Sequence, residues 1–152
     1  TGKILRRYGY ERYEISNYAK PGYECRHNLG YWQRKEYLGL GLGAASLIAE
    51  HRFCNTDKMD VYLEGGKDRT GESHRLTIQE QMEEFMFLGL RETKGVSKKH
   101  FFDVFGVKMD LVYGETIRKL VKQQLLVIEK ERVRLTEHGI DISNYVMSEF
   151  LF

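Results

Sequence analysis

The chain has 152 residues, 41% of them hydrophobic and 30% charged, with a formal net charge of +2 at pH 7. That composition is the one expected of a soluble globular protein, and no apolar run approaches the roughly 20 residues of a membrane span. Residues 1–76 carry 13 Lys+Arg against 10 Asp+Glu, and residues 77–152 carry 11 against 12, so neither half is built to attract nucleic acid by charge alone. The two cysteines, Cys25 and Cys54, form no CxxC pair, which excludes a four-thiolate metal site and points to a reducing, cytoplasmic setting. The opening Thr1-Gly2-Lys3, with neither initiator Met nor an apolar signal segment, reads as the cut end of a longer chain.

Residues 1–8 have Ile4, Leu5 and Tyr8 at helical spacing, with Gly9 as a stop. The alternation over residues 10–15 predicts a strand, and Ser16-Asn17 a turn. From Asn17 to Trp32 no period survives, and the segment reads as a long aromatic loop with a turn at Pro21-Gly22. Glycines then alternate at 39, 41 and 43, a pattern for close backbone approach. A hairpin is expected over residues 46–55, turning near Glu50-His51, then one or two helical turns over residues 57–63. The Gly-rich, apolar-free stretch after residue 64 has linker chemistry, and we place a linker at 65–75 between a first domain, 1–64, and a second, 76–152.

In the second domain Thr77 and Glu80 form a capping box ahead of a helix whose inner face is Met82, Phe85, Met86 and Leu90. Val96-Ser97 should open a second helix, with Ser97 as N-cap, Phe101, Phe102 and Phe105 inward, and Gly106 as its end. A third helix is expected over residues 111–124, with Ile117, Leu120 and Val121 apolar. A hairpin of residues 125–128 and 133–135 follows, then one closing helix from Glu137 to about Phe150, with Ile140, Ile142, Tyr145, Val146 and Phe150 inward. Three helices, a hairpin and a closing helix make a mostly helical, winged-helix-like module.

Three features invite chemistry. Gly39-x-Gly41-x-x-Ala44 nearly matches a dinucleotide fingerprint but lacks the buried strand that should precede it, so close backbone packing is the better reading. Cys25-x-His27 offers a thiolate and an imidazole, either of which can ligate haem iron, beside Tyr31 and Trp32, which could cover a porphyrin face. A histidine in such surroundings is more often a hydrogen-bonded structural group. Arg118, Lys119 and Lys122 on the third helix raise a winged-helix nucleic-acid-binding module, but Glu115, Glu129 and Glu131 interleave the cations, which favours a solvated face.

Taken in order, Tyr13-Glu14-Ile15-Ser16-Asn17-Tyr18-Ala19, Cys25-Arg26-His27-Asn28-Leu29-Gly30-Tyr31-Trp32 and Tyr37-Leu38-Gly39-Leu40-Gly41-Leu42-Gly43-Ala44-Ala45-Ser46 resemble the oxygen-independent coproporphyrinogen III oxidases and their radical-SAM relatives, the haem chaperones. The resemblance implies an α+β chain: the C-terminal remnant of a radical-SAM α/β partial barrel followed by the winged-helix-like domain. It implies that an N-terminal radical-SAM domain, absent from this sequence, is the partner that holds a [4Fe–4S] cluster and S-adenosylmethionine. The His-Asn-x-x-Tyr-Trp element at 27–32 is similar to the chaperone branch, in which the histidine is associated with haem; decarboxylation of coproporphyrinogen III is the alternative activity. On this resemblance His27 is the metal ligand, with Cys25 its rival. Asn28, Tyr31, Trp32, Glu14 and Asn17 line the cofactor side, and haem or a porphyrinogen is the ligand. A barrel strand without its neighbours has an unpaired edge, so residues 1–60 are also a candidate homodimer contact.

Overall fold

The structure is a computed structural model, and it describes residues 1–66 and 69–152. The chain packs as two units, one made of Thr1–Arg34 with Met82–Phe152 and the other of Lys35–Gln81. That grouping differs from the division expected at residues 65–75, because the first 34 residues pack with the C-terminal module.

In the first unit α1 (Gly2–Arg7) leads into the two-residue strands β1 (Glu11–Arg12) and β2 (Tyr18–Ala19), which pair antiparallel. The strand expected over residues 10–15 is therefore short. Its continuation leaves β2 and joins the C-terminal module instead: Ile15 N–H donates to the Arg91 carbonyl at 3.0 Å, and Thr93 N–H to the Tyr13 carbonyl at 3.1 Å. The expected loop over 17–32 ends in a helix, α2 (Arg26–Trp32). Its seven residues carry no capping side chain, so sequence offered no start signal, and packing rather than propensity sustains it.

The second unit is a three-stranded antiparallel sheet of β3 (Ala45–Ile48), β4 (His51–Asn55) and β5 (Thr70–Arg75), in that order, with α3 (Met59–Glu64) before β5. The β3–β4 turn falls at Ala49-Glu50, both at positive φ (48° and 61°), one residue earlier than expected; two such residues match the twist of a hairpin. The expected linker at 65–75 includes β5, an outer strand. Main-chain bonds to β4 hold it, and its sequence shows no apolar alternation to read. Lys67 and Asp68 of the expected linker lie outside the described residues.

The glycine run closes on itself. A Cβ at Gly39 would collide with the Ala45 carbonyl oxygen, and the amides of Gly39, Gly41 and Gly43 donate to Ser46 Oγ, Tyr62 Oη and the Thr56 carbonyl, each at 3.0 Å. Three amides already spent on protein acceptors do not cradle a phosphate, in line with the close-packing reading.

Helix α4 (Ile78–Gly89) opens on the expected capping box: Glu80 N–H donates to Thr77 Oγ1 at 3.2 Å, and Thr77 N–H to a Glu80 oxygen at 2.7 Å. Val96-Ser97 is not the start of a helix but a strand, β6, paired with β8 (Arg132–Leu135), which pairs in turn with β7 (Leu126–Glu129). Ser97 still caps α5 (Lys98–Phe105), accepting from His100 N–H at 3.2 Å. Helix α6 spans Met109–Lys122, starting earlier than expected. The closing helix is two, α7 (Glu137–Asp141) and α8 (Ser143–Ser148), broken where Ile142 leaves helical geometry (φ −120°, ψ 34°). Phe102, Ile142 and Tyr145, expected inward, are exposed, as is the apolar Val121 of α6.

The core of this module is Phe101, with ring neighbours Phe85, Phe105 and Tyr113 at 5.4, 4.7 and 6.1 Å, surrounded by Met86, Leu90, Ile117, Leu120, Val133, Val146 and Phe150. Burial pushes the Tyr113 phenol well above its usual range. Ile15 packs against this core, which fixes the segment carrying Glu14.

Candidate functional site

The predicted site residues divide between α2 and the segment before it. On α2, His27 is exposed, and its ring meets Tyr31 edge-on at 4.6 Å, the contact that i and i+4 positions of a helix make. Cys25, at the N-cap, is exposed and free; Asn28 is half-buried. An imidazole and a thiol two residues apart, both open to solvent, can each offer one axial donor to a metal centre. Among the described residues no group of three or more His, Cys, Asp and Glu side chains is placed to hold a metal ion.

Trp32 lies on the other side of α2. The Arg91 guanidinium stacks over its ring at 4.2 Å, and an Arg91 nitrogen is 3.7 Å from Glu14 Oε2. Glu14 is fully buried; its other oxygen accepts the Ser16 N–H at 2.8 Å. The structure therefore joins Glu14 to Trp32 through Arg91, while Asn17 is exposed and its side chain bonds to none of the others among the described residues. Gln33 Nε2 donates to Glu92 at 3.4 Å, and Arg34 Nε to Glu84 at 3.0 Å with both side chains nearly buried. Arg91, Glu92, Gln33, Arg34 and Glu84 escaped sequence reading, because polar and charged residues on or beside a helix look solvated until a fold turns them inward.

In the segment before α2, Tyr10, Tyr18, Ala19, Lys20 and Tyr23 line an open cleft of about 420 Å³. Tyr23 is 81% exposed, and Lys20 Nζ sits 5.7 Å from the Tyr10 ring centre. Aromatic walls with one ammonium suit a flat, anionic ligand.

Comparison with known proteins places this geometry. The family model for the HemN C-terminal domain matches residues 76–142. Those residues are similar to the HemN C-terminal domain family. Over 149 residues the chain is 37% identical to the heme chaperone HemW of Lactococcus lactis, covering 97% of this chain and 39% of that protein. Over 147 residues it is 37% identical to the heme chaperone HemW of Bacillus subtilis, covering 95% and 39%. The chain thus spans about 39% of the length of the curated relatives it matches. Among solved structures, the coproporphyrinogen III oxidase HemN from Escherichia coli, described as a radical SAM enzyme, matches with a TM-score of 0.74 at 15% identity, covering 97% of this chain and 38% of that one. The fold ahead of the HemN C-terminal domain is therefore shared with that enzyme as well. Among the described residues no helix is long and apolar enough to cross a membrane.

Proposed function

We propose that the protein containing this chain binds haem and passes it on, and that α2 presents the axial ligand. The observation that carries this reading is the exposed His27 imidazole, propped edge-on by Tyr31 in a segment similar to the HemW heme chaperones. The donor set fits such a group: an open imidazole can reach an iron without moving any core residue, and the aromatic cleft with Lys20 in the segment before α2 offers a wall and a charge. Haem, when bound, supplies an iron with an open coordination position and a porphyrin with an intense Soret band that responds to the iron's ligands. His27 provides the nitrogen, Tyr31 restricts its rotation, and exposure leaves the ligand free to leave, as cargo must. The exposed Cys25 is the second donor, and with Cys54 also unpaired the reading includes a reducing, cytoplasmic setting.

The cluster and S-adenosylmethionine are different. The two cysteines of this chain do not provide the thiolates of an iron–sulfur site, so in this reading both groups belong to the remaining length of a radical-SAM protein.

The test is a ferric-haem titration followed in the Soret region, with wild type, His27→Ala and Cys25→Ala. A saturable shift that disappears in His27→Ala and survives in Cys25→Ala is the expected result. Loss only in Cys25→Ala would move the ligand to the thiol. No shift in any of them would end the haem reading and leave porphyrinogen chemistry as the activity to assay.

A further inference from the structure

The end of α2 is tied to the HemN C-terminal domain at three consecutive residues. Trp32 lies beneath the Arg91 guanidinium at 4.2 Å, Gln33 donates to Glu92 at 3.4 Å, and Arg34 pairs with Glu84 at 3.0 Å. Every partner is on α4 or just after it. A seven-residue helix without a capping side chain does not hold itself together in water, since nucleation outweighs the few bonds it gains. Its orientation must come from these contacts.

Arg91 is the central member. Its charge faces the fully buried carboxylate of Glu14 at 3.7 Å on one side and the indole on the other. Arg91 Nε, Glu14 Oε2 and Trp32 Nε1 have no hydrogen-bond partner among the described residues, so charge and stacking hold the group together. A guanidinium is suited to that and an ammonium is not: it is planar, and one face can lie on an aromatic ring while its edge meets a carboxylate. The Glu14 segment is itself bonded to the same stretch through Ile15 N–H and the Arg91 carbonyl, so the latch closes on a fixed base.

We propose that Arg91 is a positioning residue that latches α2 to the HemN C-terminal domain and thereby holds His27 in its ligating orientation. This rests on the haem reading for its consequence but not for the latch itself. With the latch released, α2 samples other orientations, and apparent haem affinity falls by the fraction of time the competent one is populated.

Trp32 is the chain's single tryptophan, so its emission and its quenching by acrylamide report the latch without haem. The experiment compares wild type, Arg91→Ala and Arg91→Lys by acrylamide quenching, ferric-haem titration and far-UV circular dichroism. Expected are clearly greater quenching in Arg91→Ala, haem affinity weaker by about tenfold for a competent population of about one tenth, and an unmoved Soret maximum because the ligand is unchanged. Arg91→Lys, which keeps the charge and loses the planar stack, should fall between. If Arg91→Ala loses its circular dichroism, Arg91→Lys carries the test alone. Quenching equal to wild type in the folded variants overturns the latch. Greater quenching with wild-type haem affinity overturns the positioning role. If wild type itself binds no haem, the functional reading fails and the quenching series still decides the latch.

Discussion

Replacing Gly95 by alanine separates two costs that the structure assigns to one position. Gly95 follows the Arg91–Thr93 stretch and precedes β6; its φ is +63°, and an added Cβ would collide with the Val133 carbonyl oxygen and stand 2.5 Å from Arg134 Cβ. The left-handed conformation costs an alanine roughly 1–2 kcal/mol. Forcing a methyl against backbone that is locked in the β6–β8 ladder adds about 1–3 kcal/mol. The sum, roughly 2–5 kcal/mol, lowers the melting temperature by roughly 4–20 °C at 2–4 °C per kcal/mol for a chain of this size. Gly106, the αL residue closing α5, provides the control: its φ is +70° with nothing within 4 Å of an added Cβ, so Gly106→Ala should show the conformational cost alone, roughly 2–8 °C. Both sites lie in the same unit, and thermal melts followed by far-UV circular dichroism compare them directly. Equal melting temperatures for the two variants would refute the collision as a separate cost.

The Thr77 backbone N–H, then His74 and the Thr77 hydroxyl, hold the Glu80 carboxyl well below its ordinary 4.5, at about 2; a depressed folded pKa means its contribution is full above pH 4.5 and is lost as pH falls through about 2. A carboxyl-resonance NMR titration that found Glu80 at its ordinary value would dismiss the capping box as an electrostatic device. On the winged-helix-like module Lys98, Lys99, Lys119 and Arg134 are paired with Asp110, Asp103, Glu149 and Glu129 at 2.6–2.8 Å, so filter binding at low salt, where non-specific affinity is greatest, should retain no duplex DNA. Retention that weakens steeply with added salt would revive the nucleic-acid reading.

The α4 capping box, the phenylalanine-rich core and the hairpin of the module were legible because periodicity and caps are local signals. Val96-Ser97 misled for a physical reason: two residues cannot display a period, and the strand exists only because β8 lies beside it. Strand β5 was hidden likewise, since main-chain pairing to β4 leaves no mark on its side chains. At the candidate site, His27 and Trp32 were singled out by residue type, spacing and the family resemblance. Arg91 and Glu84 were not, because the partners they meet, Trp32 and Arg34, lie 50 residues or more away in sequence and only tertiary contact chooses them.

Helix geometry lets the proposed ligand and the proposed latch sit in one short motif. His27 and Tyr31 are four residues apart and meet on one side of α2, whereas Trp32 is turned about 100° further round, at 3.6 residues per turn. One element can therefore show an imidazole to solvent and press an indole onto Arg91 at the same time. The spacing between the two is set by rotation, not by distance along the chain: a residue inserted between Tyr31 and Trp32 would swing the indole away from the guanidinium while leaving His27 and Tyr31 in contact. On the haem reading, a ligating His27 is served by an anchor on the other side of its helix, and Trp32, which immediately follows Tyr31, is placed to be that anchor. The module that begins with α4 would, on the same reading, share in holding the ligand, since Arg91, Glu84 and Glu92, which meet the end of α2, are supplied by α4 and the turn that ends it.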